Sequence, residues 1–334
     1  MSKVGNSLKM TFDPCNDLKP RGRDKSLLVV HCEGLGDNVL AIPFLSLLAA
    51  TLPDHRCHLV VGTGRRDIFL GLERFQVIET GEPSALTAVF SQYHDLIFDL
   101  GTGTEHIIDW IRGVELQYGH YVGFDKPESL PRESQVPLRA DIPMWKQFIG
   151  MLAAMGQRGE IQAEYAVVVR EASGQYAQLL IDLESPVPLI CCAPGSGKDK
   201  RKRWPPEHFA ELLRRLNAAQ TCRFALLGKT GEEGLAEAIA AELPCAVDNL
   251  VGLTPLGALM HIVQHTSLLI ANDNGVMHLA GWMGTPTLGL FGCTNPVLWH
   301  PLGAKSVVLQ AARGDLLQLR PAQVLEVALS LLNA

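Results

Sequence analysis

The segment LLVVHCEGLGDNVLAIP, residues 27–43, decides the fold. Leu27–Cys32 is an apolar run of strand length. Beyond the turn EGLGD, the residues Val39, Leu40, Ile42, Leu47 and Leu48 recur at helical spacing from Asn38 to Thr51. A buried strand, a glycine turn and an apolar-faced helix in that order open a βαβ unit, and repetition of the pattern builds a parallel sheet. Pro43 is expected in the first turns of the helix, where proline is tolerated.

Outward from this segment the pattern repeats. His58–Val61, Gln76–Glu79 and Leu96–Leu100 read as strands, with helices over Arg65–Leu72, Ser84–Phe90 and Glu105–Arg112. Pro127, Pro131, Pro137 and Pro143 then break the rhythm, so 125–143 is expected to be a long loop before a helix at Met144–Met155. Residues 157–187 read as a linking region with one strand, Ala166–Arg170, and one helix, Ser173–Leu183. The series restarts at Leu189–Ala193 and continues with strands at Phe224–Leu227, Ser267–Ala271 and Thr287–Phe291. Helices are expected over Pro206–Asn217, Gly231–Leu243, Leu256–Gln264, Gly275–Met283 and Pro321–Leu332. Two such blocks imply an α/β protein of two doubly wound domains, 1–170 and 171–334, with a cleft between them. Ligands of such sheets collect at the carboxyl ends of the strands.

Composition narrows the function. A chain of 334 residues with 47% apolar and 19% charged residues is globular, and a net charge of −6 argues against nucleic acid as the main partner. Residues 1–25 lack an apolar core, so no signal peptide is expected, and nowhere do 18 uncharged apolar residues run together. A soluble cytoplasmic protein, at most peripheral to a membrane, is the expectation. The eight cysteines form no C-x-x-C and no zinc-finger spacing with histidine, which points to reduced thiols in the core.

Four strand-end loops hold the residues suited to chemistry. In Glu33–Asp37 the glycines permit close approach, and Asp37 is expected at the N-cap of the following helix, as a cap or as a general base. Pro194–Pro205 combines Gly195, Ser196 and Gly197 with Lys198, Lys200, Arg201, Lys202 and Arg203, which suits a phosphate cradle or a solvated basic loop. Asn272–His278 ends a strand and starts a helix, with N–H groups that favour an anion. In Gly228–Glu233, Glu232 could accept from ribose hydroxyls or simply favour its own helix start. Neither G-x-G-x-x-G nor the Walker A pattern occurs, and there is no D-x-D.

Taken together these loops resemble the heptosyltransferase family of GT-B glycosyltransferases, which includes the ADP-heptose:lipopolysaccharide heptosyltransferases. The resemblance rests on GLGDNVLAIP (34–43), APGSGKDKRKRWPPEHFAEL (193–212), GKTGEE (228–233), VGLTPLGAL (251–259) and ANDNGVMHLAGWMGTPTLGLFGCTNP (271–296), in the family's order. It implies a GT-B fold of two Rossmann-like domains facing a central cleft, the first for the acceptor and the second for the nucleotide-sugar. It implies inverting transfer of heptose from ADP-heptose to a hydroxyl of a glycan or lipid-linked sugar, such as a lipopolysaccharide core, with no cofactor and no metal on the diphosphate. Carried over residue by residue, Asp37 is the base, Lys202 a donor-phosphate ligand joined by Ser196, and Glu232 the ribose ligand. Asp273, Asn274, Gly275 and His278 hold the diphosphate. The chain departs from the family at Asn274, where Ser or Thr is usual; an amide can still donate to phosphate. Another nucleotide-sugar, a protein or small-molecule acceptor, a GT-B-like epimerase and a non-catalytic binder are the alternatives. The expected location is cytoplasmic, at most peripheral on the inner face of the inner membrane.

Overall fold

The computed structural model describes residues 2–13, 25–101, 117–124, 135–154, 158–169 and 171–333. They form two compact units, Ser2–Val168 and Val169–Ala334. The first contains β1 (Ser2–Asp13), β2 (Lys25–His31), α1 (Leu35–Thr51), β3 (His55–Val61), β4 (Phe75–Glu79), α2 (Pro83–Phe90) and β5 (Tyr93–Asp99). It continues with β6 (Gln117–Phe124), β7 (Gln135–Val136), α3 (Met144–Ala154) and β8 (Arg158–Val169). Strands β2 to β7 form one parallel sheet in the order β4-β3-β2-β5-β6-β7, while β1 pairs with β8. Leu27, Leu28 and Val29 of β2 are fully buried, the continuous apolar run that a strand covered on both faces requires.

The second unit contains α4 (Glu171–Leu180), β9 (Leu189–Ala193), α5 (Pro206–Ala219), β10 (Arg223–Leu226), α6 (Glu233–Ala241), β11 (Asp248–Asn249) and α7 (Leu256–Gln264). Then follow β12 (Leu268–Asn272), α8 (Gly275–Met283), β13 (Thr287–Phe291), β14 (Ser306–Gln310) and α9 (Pro321–Leu332). Its parallel sheet runs β11-β10-β9-β12-β13-β14. Ile190, Phe209, Leu213, Phe224, Ile270 and Leu288 form its core, and α9 packs on α5. Counted within each sheet, both orders are 3-2-1-4-5-6, the doubly wound order whose direction reverses between the first and fourth strands. The reversal lies between β2 and β5 in one unit and between β9 and β12 in the other.

Several elements differ from expectation. Arg65–Leu72 is not an α-helix but one 3-10 turn, Arg66–Phe69, at whose start Glu79 Oε1 accepts from the Arg65 and Arg66 N–H groups at 2.9 Å. Strands β1, β6, β11 and β14 have no counterpart in the sequence reading. The proline-rich loop contains β7, while Pro127, Pro131 and the expected helix Glu105–Arg112 lie outside the described residues. The linking region resolves into β8 and α4, each offset from the expected bounds. Helix α1 begins at Leu35 rather than Asn38, which puts Pro43 in its interior, with no N–H for the Val39 carbonyl.

Among the described residues, no helix is long and apolar enough to cross a membrane, and seven cysteines are free. Burial pushes the Cys191 thiol of β9 up to about 12, so it acts as a small apolar side chain.

The first unit also buries histidines at the amino ends of its strands. The Val89 carbonyl can only accept, so His94 Nε2 donates to it at 2.8 Å. His94 Nδ1 then accepts from the Ser26 hydroxyl at 2.9 Å. The His58 ring stands edge-on to His94 at 5.8 Å. Burial lowers the pKa of both rings, and Arg56 lowers them further. The unfolded chain therefore binds more protons below about pH 6.5, and stability is lost as pH falls through that value. Thermal melts should hold steady above about pH 7 and drop towards about pH 5. His58→Gln should make the drop shallower; an unchanged slope contradicts the assignment.

Candidate functional site

In the first unit the turn after β2 closes around glycine and asparagine. Gly34 is the N-cap of α1, and Asn38 N donates to its carbonyl at 3.1 Å. Asn38 is fully buried, and its Nδ2 donates to the Glu33 and Gly34 carbonyls at 2.9 and 2.8 Å. Asp37 is therefore the third helical residue and not the N-cap. The amide of Asn38 ties the turn one stage earlier than expected. A carboxylate at this position still lies in the positive field of the helix start. Asp37 is half-buried and folds back over the turn: a Cβ on Gly34 would come within 3.1 Å of its Oδ2. The first glycine of GLGD leaves room for the carboxylate.

Two buried groups that the sequence reading did not select flank this turn. His31, the last residue of β2, is buried with no hydrogen-bond partner of ordinary geometry at either ring nitrogen; its ring stands edge-on to Phe148 at 5.4 Å. Burial lowers its pKa against the opposing charges of Asp37, Glu33 and Asp99. Asp99 ends β5, in register with Val30, and accepts from Gly101 N at 2.9 Å and from Tyr121 O–H at 2.8 Å. A polar residue closing an apolar strand is the signal that would have found both.

In the second unit the cationic loop sorts its charges. Asp199 accepts from Arg201 N and pairs with the Arg201 guanidinium at 2.8 Å, which holds the Asp199 carboxyl at about 2. Arg203 Nε donates to Ser196 Oγ at 2.9 Å, and Ser196 spends its own hydrogen on the Asp199 carbonyl at 2.8 Å. Lys198 and Lys200 are exposed. Lys202 turns inward, and its Nζ donates to Asp273 Oδ2 at 2.9 Å. Lys202, the cation the resemblance names, is thus the loop cation paired with Asp273. Trp204 anchors the far end, buried edge-on to Phe209, with Nε1 donating to the Leu319 carbonyl at 2.8 Å. Gly197, at φ 64°, supplies the left-handed residue that the loop needs.

Asp273 follows β12 and is 5% exposed. His278, one turn into α8 and also buried, places Nε2 3.7 Å from Asp273 Oδ1. Burial alone would raise the Asp273 carboxyl; the hydrogen bond and charge of His278, then of Lys202, outweigh it and hold it at about 2. Asn274 is the N-cap of α8, and its Oδ1 accepts from Val276 N and Met277 N at 3.0 and 3.1 Å. Its Nδ2 donates to the Ala193 and Gly195 carbonyls at 3.0 and 2.8 Å. The expectation that this amide is at hand for phosphate meets a correction, since both hydrogens are committed to the neighbouring strand end. Gly275 opens the helix.

Glu232 is buried and makes no side-chain cap to its own helix. Its carboxylate accepts from Lys229 N at 3.1 Å and lies so close over Gly195 that a Cβ there would overlap it. A Cβ on Gly228 would come within 2.9 Å of the same carboxylate. Glycines closing β9 and β10 thus make room for an acid beside the cationic loop, which a first-turn helix preference does not explain. Ser196, Lys202, Glu232, Asp273, Asn274, Gly275 and His278 therefore gather at the β9/β12 reversal, where such sheets bind ligands. Asp37 stands at the equivalent reversal of the other unit. Among the described residues, no group of three or more His, Cys, Asp or Glu side chains is placed to hold a metal ion.

The model of glycosyltransferase family 9 (heptosyltransferase) matches residues 142–326, more than half of the chain. That span contains Ser196 through His278 and begins after Asp37. Lipooligosaccharide heptosyltransferase 2 of Haemophilus influenzae is 32% identical over 139 residues, covering 40% of this chain and 39% of that protein. The chain spans less than half the length of the curated relatives it matches. Among solved structures, the Escherichia coli ADP-heptose lipopolysaccharide heptosyltransferase II has a TM-score of 0.74 at 22% identity, covering 92% of this chain and 98% of that one. A glycosyltransferase family 9 protein of Veillonella parvula has a TM-score of 0.75 at 21% identity, covering 93% and 98%. These likenesses establish the GT-B fold. The match across residues 142–326 places the chain in glycosyltransferase family 9, the heptosyltransferases.

Proposed function

We propose that this protein is an inverting, metal-independent glycosyltransferase of lipopolysaccharide biosynthesis. In this reading it moves heptose from ADP-heptose to a hydroxyl of a glycan or lipid-linked sugar of the lipopolysaccharide-core kind. The observation that carries the reading is the Lys202–Asp273–His278 array at the β9/β12 reversal, inside the span matched by the heptosyltransferase family. Relatives named for lipooligosaccharide and lipopolysaccharide heptosyl transfer support the same donor and acceptor class. With a lipid-linked acceptor, the enzyme works in the cytoplasm, peripheral on the inner face of the inner membrane.

The leaving diphosphate carries the charge that must be stabilised. An ammonium has three hydrogens, and Lys202 gives one to Asp273, which leaves two for phosphate oxygens. Gly275 adds a backbone N–H at the helix start, and Glu232 accepts from ribose hydroxyls. Ser196 and Asn274 act through the shape they give the loop. Asp273 stays ionised at any pH near neutrality, so it keeps accepting from Lys202 and holds that side chain turned inward. These groups take the role that a divalent cation has in other transferases. The first unit takes the acceptor, and Asp37 receives the hydroxyl proton as the sugar C1–O bond to diphosphate breaks. The ionised carboxylate also stabilises the positive charge that develops at C1.

Two substitutions test the assignment. Lys202→Ala removes a charged hydrogen bond worth about 1.5–3 kcal/mol, so ADP affinity by calorimetry should fall roughly 10–150-fold. Lys198→Ala and Lys200→Ala should cost far less, and a larger effect at either refutes the choice of Lys202. Asp37→Asn preserves size and polarity but cannot take a proton. Turnover should fall at least about 100-fold with ADP affinity and melting temperature nearly unchanged. If most activity survives, Asp37 is not the base, and Glu33 in the same turn is the next candidate.

A further inference from the structure

We infer that Asn272 is a positioning residue of the donor site: one buried amide fastens both ends of the 194–204 loop and so presents Lys202 before any ligand arrives. The inference rests on the reading of Lys202 as a diphosphate ligand.

Asn272 is the last residue of β12 and is fully buried. Its Nδ2 donates to the Pro194 carbonyl at 2.7 Å, and its Oδ1 accepts from Trp204 N at 3.1 Å. Pro194 and Trp204 open and close the loop, and neither belongs to a strand or an α-helix. A planar amide carries a donor and an acceptor in fixed relation, so this one side chain dictates the separation of two backbone points ten residues apart. In a relaxed loop, water would satisfy both groups, so the clamp is not demanded by hydrogen-bond accounting alone.

The placement of the clamp gives it a consequence for Lys202. Trp204, which it grips, lies two residues after Lys202. Asp273, the counter-charge of Lys202, is the residue after Asn272. The same strand end therefore sets both the backbone that carries the ammonium and the carboxylate that draws it in. Asn274 fastens the near end again through Ala193 and Gly195. Without Asn272, the loop would have to be ordered when the nucleotide binds, at the expense of affinity.

A double-mutant cycle on ADP binding, measured by calorimetry with the full chain, tests this. Asn272→Ala and Lys202→Ala should each weaken ADP binding about 10-fold or more. If Asn272 acts through Lys202, the double variant should bind ADP within about twofold of Lys202→Ala alone. A role in general stability would lower the melting temperature in both backgrounds and let the two losses multiply, which overturns the inference. So does wild-type affinity in Asn272→Ala. Wild-type affinity in Lys202→Ala instead removes the reading of Lys202 as a ligand, and the inference with it. If Asn272→Ala does not fold, Asn272→Asp serves in its place, since it keeps the bond from Trp204 N–H and sets two acceptors face to face at Pro194.

Discussion

The Asp273 carboxylate is nearly out of water, and the second unit's site is organised by that fact. A buried charge must be paired or it shifts towards its neutral form, and stranding one partner of such a pair costs about 3–5 kcal/mol. Asp273 draws Lys202 from the loop after β9 and His278 from α8. A strand end, a loop and a helix are thereby brought to one point. The rest of the cationic loop is arranged around this demand: Arg201 is neutralised by Asp199, and Arg203 braces Ser196, which leaves one cation aimed inward.

The two units solve the same local problem in the same way. Each must turn a buried parallel strand sharply into a helix at the sheet reversal, where carbonyls would otherwise be left without partners. Each uses glycine for space and an asparagine for hydrogen bonds, buried in the first unit and half-buried in the second. Asn38 serves the carbonyls of Glu33 and Gly34 in the first unit, and Asn274 those of Ala193 and Gly195 in the second. The residue before each asparagine is an aspartate, Asp37 in the first unit and Asp273 in the second. The first carboxylate lies half-exposed in its turn, whereas the second is buried and ion-paired. The buried carboxylate is the one that holds a cation, Lys202.

Where apolar density alone decides an element, the sequence was sufficient. Leu27–Val30 and Leu189–Ala193 lie in strands because nothing but burial satisfies them, and glycine loops follow both strands. Weakly apolar edge elements were not legible: β6 begins exposed, β14 is only half-buried, and β11 has two residues. Side-chain commitments were not legible either. Glu79 accepts from the Arg65 and Arg66 N–H groups at the start of a 3-10 turn, from 14 and 13 positions away in sequence. Asp37 reads as a cap until the Asn38 amide is seen to move the helix start. Asn274 reads as a phosphate donor until its hydrogens are found on two carbonyls. Ser196, Lys202, Glu232, Asp273, Asn274, Gly275 and His278 lie together at the β9/β12 reversal, but which of their polar atoms are already committed is a question of hydrogen-bond geometry.

The central claim is the proposed transfer of heptose from ADP-heptose to a lipopolysaccharide-core acceptor without a divalent cation. The most direct measurement is mass spectrometry of a heptose-deficient lipopolysaccharide core incubated with ADP-heptose and the purified protein in excess EDTA. The account predicts that the acceptor gains the mass of one heptose for each ADP released. Release of ADP without heptose on the acceptor, or transfer that stops in EDTA and resumes with magnesium, would contradict it.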